Sequence, residues 1–107
     1  TAPAGWLNDP NGMWHYKGVY HFAYQAYPHS LKPPSGAPQK HWGHAVSTDL
    51  LHWEHRPIML EPNVKTFGSC HSGSTVVDTD NTSGFQTGQE KAFVTLFTAT
   101  NSGTQWQ

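Results

Sequence analysis

Two runs of aromatic and β-branched residues, "MWHY" at 13–16 and "VYHFAYQ" at 19–25, flank Lys17-Gly18, a connection of hairpin length, and predict a β-hairpin over residues 13 to 25. The next stretch, "AYPHSLKPPSGAPQK" from 26 to 40, carries four prolines and no periodicity, so it reads as a long loop. Strand character returns in "HWGHAVS", "TDLLHW" reads as a tight connection, and "EHRPIML" reads as a short outer strand with an edge-tolerated proline. A second unit opens with "SGSTVVD" and "KAFVTLFTAT" around a polar loop from 79 to 90, and the pattern continues into "TQWQ". No segment has a helical period. Ahead of the hairpin, Asp9-Pro10-Asn11-Gly12 offers the residues that a type I turn prefers at each of its positions, so a turn is expected there.

Four-stranded units of ~40–50 residues in succession are how the blades of a β-propeller appear in sequence. The strand spacing therefore predicts an all-β fold, with a partial propeller or a sandwich as its architecture. Composition agrees: Trp, Tyr, Phe, Val and Thr are plentiful, and 10 Gly and 8 Pro punctuate 107 residues. That length fits one small domain.

Charge removes some function classes. Six Lys/Arg stand against seven Asp/Glu, and the basic residues are scattered singly rather than gathered into a stripe, so no nucleic-acid partner is expected. No apolar run approaches the ~20 residues needed to span a bilayer, so no membrane partner is expected either. The start, "TAPAGW", lacks the charged and hydrophobic parts of a signal peptide. Cys70 is the single cysteine and reads as a small buried hydrophobe. Asn81-Thr82-Ser83 fits the N-glycosylation triplet in a stretch of turn formers, which favours a secreted protein with Asn81 as the acceptor.

The chain has eight histidines, with His41/His44 and His52/His55 spaced as His-x-x-His. On a strand, residues three apart point to opposite faces, and no Cys-x-x-Cys or His-Glu-x-x-His accompanies the pairs, so neither a metal site nor a cofactor is expected. Core packing accounts for most of the five tryptophans, Trp6, Trp14, Trp42, Trp53 and Trp106. Trp6 and Trp42 stand apart, because each lies beside polar residues and a glycine or turn, where an indole can present its face to a sugar ring. The acids Asp49, Glu54, Glu61, Asp78, Asp80 and Glu90 fall at strand ends or in polar loops and read as solvated charges.

Taken in order, "WLNDPNG", Tyr24-Gln25, "HWGHAVSTDLLHWE", "SGSTVVD" and "NTSGF" resemble the N-terminal part of the catalytic domain of glycoside hydrolase family 32, the invertases, inulinases, fructanases and fructosyltransferases. The resemblance spans nearly the whole chain. It implies a five-bladed β-propeller, of which residues 1–107 would supply about the first two blades of four-stranded antiparallel sheets: blade 1 at about 11–60, and an incomplete blade 2 from about 70. It also implies retaining cleavage of β-fructofuranosyl bonds in sucrose, inulin or levan. Carried over residue by residue, it makes Asp9 the nucleophile and places Trp6, Asn8, Gln25, Trp42, His71 and Ser72 around the terminal fructosyl unit.

The physical expectation for Asp9 is a side chain fixed in direction by its proline, with nearby N–H groups favouring the ionised carboxylate. Asn8 and Gln25 each offer a donor and an acceptor to ring hydroxyls. Retention also needs a second carboxyl about 5 Å away. The family's acid/base Glu and its Arg-Asp-Pro motif would lie beyond Gln107, so these 107 residues alone are expected to be inactive. Two positions depart from the pattern. His71 stands where Phe is common, replacing an apolar wall with a possible donor, and the segment from Ala26 to His41 lacks the usual Trp-Gly pair. A non-catalytic carbohydrate-binding β domain, a fructosyltransferase and a histidine-rich metal-binding domain remain as alternatives.

Overall fold

A computed structural model describes residues 5–32, 40–63, 65–101 and 104–106, the last three as backbone. The loop expected over 26–40 lies partly outside these residues, as does the side chain of Trp106. The elements are all strands: β1 (Trp6–Tyr16), β2 (Val19–Tyr27), β3 (His41–Ser47), β4 (Glu54–Leu60), β5 (Ser69–Asp78), β6 (Ala92–Asn101) and β7 (Thr104–Trp106). They form two antiparallel sheets, ordered β1-β2-β3-β4 and β5-β6-β7. Among the described residues no helix is long and apolar enough to cross a membrane.

The predicted hairpin is present. Lys17 (φ 49°) and Gly18 (φ 77°) both take positive φ, the combination whose twist matches that of the two flanking strands. β3 and β4 coincide with "HWGHAVS" and "EHRPIML". Between them the chain turns through 48–53 around Asp49, whose carboxylate accepts from the N–H groups of Leu51 (2.9 Å) and His52 (2.8 Å). Asp78 plays the same part after β5, accepting from the N–H groups of Thr82 and Ser83 at 2.9 Å each.

The turn expected at Asp9–Gly12 does not form. Those residues run inside β1, paired with β2 from Trp6↔Tyr27 to Tyr16↔Val19. Local preference yields here to pairing: a residue before proline is biased to extended backbone, and proline's missing N–H is harmless on an edge strand, which β1 is. Gly12, at φ 42°, takes up the local distortion.

The core lies between the sheets, where β1 packs on β5. Trp14, Ala23, Trp42 and Cys70 are buried there, flanked by Tyr16, Met59, Leu60, Phe67, Val77 and Phe97. The outer face of the first sheet holds a smaller cluster of Tyr24, Ala26 and Ala45 against Phe22. β2 is therefore covered on both faces, which explains its unbroken buried run from Ala23 to Ala26. Burial pushes the Cys70 thiol up to about 11, in keeping with a packing role.

Candidate functional site

The polar residues of the "WLNDPNG" block are organised by a β-bulge. Leu7 pairs with Ala26 and Pro10 with Tyr24, so Asn8 and Asp9 together stand opposite the single residue Gln25. Another bulge lies in β5: Cys70 pairs with Ala99 and Gly73 with Phe97, so His71 and Ser72 together oppose Thr98. Gln25 joins the two. Its Oε1 accepts from Asn8 Nδ2 at 3.2 Å, and its Nε2 donates to Ser72 Oγ at 3.0 Å.

This relay is dry in the middle and wet at its ends. Gln25 is 1 % exposed, whereas Asn8, Asp9 and Ser72 are exposed. A buried amide with both ends bonded holds its neighbours in fixed positions, because leaving either end unpaired costs the full desolvation of that group. Asp9 sits in the same bulge as Asn8, and its main-chain carbonyl accepts from Asn11 Nδ2 at 3.4 Å. The N–H donors expected at the Asp9 carboxylate are not found among the described residues. Trp6 is 37 % exposed at the start of β1, opposite Tyr27.

Two site expectations change. Trp42, expected to offer its face to a sugar, is fully buried: its indole N–H donates to the His71 carbonyl at 2.7 Å and its ring packs on Phe97. A Cβ on Gly12 would come within 3.1 Å of that ring, so a glycine there lets β1 pass closely over it. The indole thus supports the β5 bulge through the His71 carbonyl. His71, expected to supply a donor, has both ring nitrogens engaged. Nδ1 faces Lys40 Nζ at 3.3 Å and Nε2 faces Thr100 Oγ1 at 2.6 Å. Burial first, and then the Lys40 charge, hold the His71 pKa below 6.5. Neutral His71 then accepts from the ammonium at Nδ1 and donates from Nε2.

The other acids work elsewhere. Glu90 accepts from Lys17 Nζ (2.6 Å) and Tyr16 Oη (3.1 Å) beside the hairpin turn, and Asp49 and Asp78 bind their own loops. Among the described residues no group of three or more His, Cys, Asp or Glu is placed to hold a metal ion. Asn81 is exposed at φ 52°, with its Oδ1 accepting from the Gln86 N–H at 3.1 Å.

The sequence profile of the glycosyl hydrolases family 32 N-terminal domain matches residues 1–107. The chain belongs to that family. A levanase of Bacillus subtilis is 52% identical over 107 residues, which cover all of this chain and 15% of the relative. Invertase 1 of Saccharomyces cerevisiae is 44% identical over 87 residues, covering 79% of this chain and 16% of the invertase. Among solved structures, a fructofuranosidase of Schwanniomyces occidentalis complexed with fructose superposes with a TM-score of 0.87 at 35% identity, over 98% of this chain and 21% of that one. The exo-inulinase of Aspergillus awamori superposes at 0.77 with 37% identity, over 92% of this chain and 19% of that one. The family 32 chain thus spans about a sixth of the length of these curated relatives. Its sheets are the first blades of a β-propeller.

Sequence reasoning missed two groups in this family 32 domain. Lys40 ends the proline-rich stretch that reads as a loop, yet it lies just ahead of β3 with its backbone bonded to Ser69 and Cys70 of β5. His21 and His44 are hydrogen-bonded ring to ring at 3.0 Å, and Trp14 stacks on both at centroid distances of 4.6 and 5.5 Å. His21 pairs with Val46 and His44 with Ala23, so only the pairing of β2 with β3 makes the two histidines neighbours.

Proposed function

We propose that this chain carries the nucleophile-bearing part of a retaining β-fructofuranosidase that acts on sucrose or fructans. The observation that carries the reading is the bulge that sets Asn8 and Asp9 together opposite Gln25, with Gln25 bonded on to Ser72. An exposed carboxylate beside three fixed donor/acceptor groups suits a polyhydroxylated ring: Asn8 and Ser72 bind hydroxyls, and Gln25 fixes both.

Asp9 attacks the anomeric carbon of the fructosyl unit. The bond to the departing sugar breaks, its oxygen takes a proton from a second carboxyl, and an ester links Asp9 to fructose. Water, deprotonated by that same second group, then cleaves the ester with net retention. The proton donor is assigned to no residue of this chain. Water rather than a second sugar as acceptor is supported by the levanase and invertase relatives.

The test is Asp9→Ala in the full-length protein, with sucrose as substrate. The expected outcome is a fall in kcat of about 10⁴-fold or more, and a fructosyl adduct trapped on the wild-type peptide containing Asp9. Full activity in the variant, or an adduct on another residue, refutes the assignment. Secretion belongs to the same reading. It is supported by an Aspergillus relative named as an extracellular exo-inulinase and by the exposed Asn81 triplet, and loss of a glycan mass in Asn81→Gln checks it.

A further inference from the structure

Lys40 is tied to β5 by its backbone before its side chain is considered: its carbonyl accepts from the Cys70 N–H at 2.9 Å, and its N–H donates to Ser69 Oγ at 3.4 Å. From that fixed origin the ammonium reaches His71 Nδ1 at 3.3 Å and lies 5.9 Å from the centre of the Tyr27 ring. Tyr27 is the cross-strand partner of Trp6, and His71 shares its bulge with Ser72. The ammonium thus contacts a neighbour of each end of the site, Tyr27 beside Trp6 and His71 beside Ser72. An ammonium has three donors, and the bond to His71 uses one of them.

We propose that Lys40 is a further substrate-contacting residue, which donates to an oxygen of the sugar that leaves, with His71 and Thr100 as the positioning residues that aim it. The proposal rests on the fructosidase reading above. With the fructosyl ring held at Asp9, Asn8 and Ser72, a donor over Tyr27 and beside the β5 bulge is available to the sugar that extends from that ring. The imidazole in place of an apolar wall at position 71 is what makes this possible, since neutral Nδ1 accepts from Lys40 while Nε2–H donates to Thr100. On acidification Nδ1 gains a proton and turns from acceptor to donor. Lys40 is the charged group acting on His71 among the described residues, and Thr100 from β6 is its uncharged hydrogen-bond partner.

The experiment compares sucrose with methyl β-D-fructofuranoside, whose leaving group is methanol, in the full-length protein. Lys40→Met is expected to lower kcat/KM for sucrose about tenfold more than for the methyl fructoside, the size of one charge-assisted hydrogen bond. The sucrose-to-methyl ratio of the wild type should fall as the pH drops through the titration of His71, and His71→Phe should flatten that dependence. Catalytic carboxylates cancel in the ratio. Equal losses on both substrates, or a ratio independent of pH in the wild type, overturn the proposal. If Lys40→Met fails to fold, the pH dependence of the wild type and of His71→Phe decides alone. A wild type that cleaves neither substrate refutes the fructosidase reading itself and removes Lys40's role with it, a result distinct from equal losses.

Discussion

Replacing Gln25 with leucine should separate the stability of this fold from its chemistry. The side chain is 1 % exposed and makes two hydrogen bonds, from Asn8 at 3.2 Å and to Ser72 at 3.0 Å. Both partners are exposed, so each can turn to water when the amide is removed. The loss is then two net hydrogen bonds, together about 1–3 kcal/mol. Burying a leucine side chain of similar volume returns about 1.5–3 kcal/mol. The two terms nearly cancel, and Gln25→Leu should unfold within about 1 kcal/mol of the wild type in urea. Turnover should not survive so well. Asn8 and Ser72 would lose the group that holds them, and misplacement on the scale of 1 Å costs about 10²-fold in rate. The assay pairs urea unfolding with kcat/KM for sucrose on one preparation. A variant destabilised by more than about 3 kcal/mol would show the amide to be an obligatory strut, and unchanged kcat/KM would remove the relay from the site.

Two further outcomes follow from the packing and the titrating groups. A Cβ on Gly73 would lie 2.1 Å from the Leu96 carbonyl and 2.6 Å from the Phe97 Cα, both backbone atoms that cannot rotate away, so Gly73→Ala should lower stability by about 3 kcal/mol, read from the urea midpoint; a loss below 1 kcal/mol would mean that the β5 bulge is slack. His21, His44 and His71 all have folded-state pKa values below 6.5, by burial first, with Arg56 adding to the effect at His21 and His44. The unfolded chain therefore takes up protons at 6.5 that the folded chain resists, so the stability is fully present above 6.5 and is lost as the pH falls toward the lowered values. Urea midpoints should drop between pH 7 and pH 5, and His44→Gln should lessen the drop; a flat profile would contradict the assigned burial.

Much of the fold was legible because its signals are local. β3 and β4 begin and end where aromatic and β-branched runs meet turn residues, and a two-residue connection announced the first hairpin. Asp9–Gly12 misled for the same reason. Four residues with good turn chemistry say nothing about a partner strand, and β2 supplies one along the whole of β1. The exposure of Trp42 could not be read from its polar neighbours either, because the surface that buries it belongs to the second sheet, through Phe97 and the His71 carbonyl. The motif order placed Asn8, Gln25 and Ser72 near one site, but a motif carries no register, and it was silent on Lys40.

Register is what gives the site its form. In a regular ladder consecutive side chains point to opposite faces, so neighbours such as Asn8 and Asp9 could not serve one ligand. Two residues set against one is the local solution, and it occurs on both strands that meet across the core, β1 and β5. Each bulge gives up ladder hydrogen bonds, and buried side chains restore the connection: Gln25 spans from Asn8 to Ser72, and the Trp42 indole takes the His71 carbonyl. Glycines lie where close approach is needed, Gly12 over the Trp42 ring and Gly73 against the backbone of β6. Removing one residue from either of these bulges would restore regular pairing at that point and turn the next polar side chain to the opposite face, so the residue each bulge adds is as much a part of the site as the groups it presents.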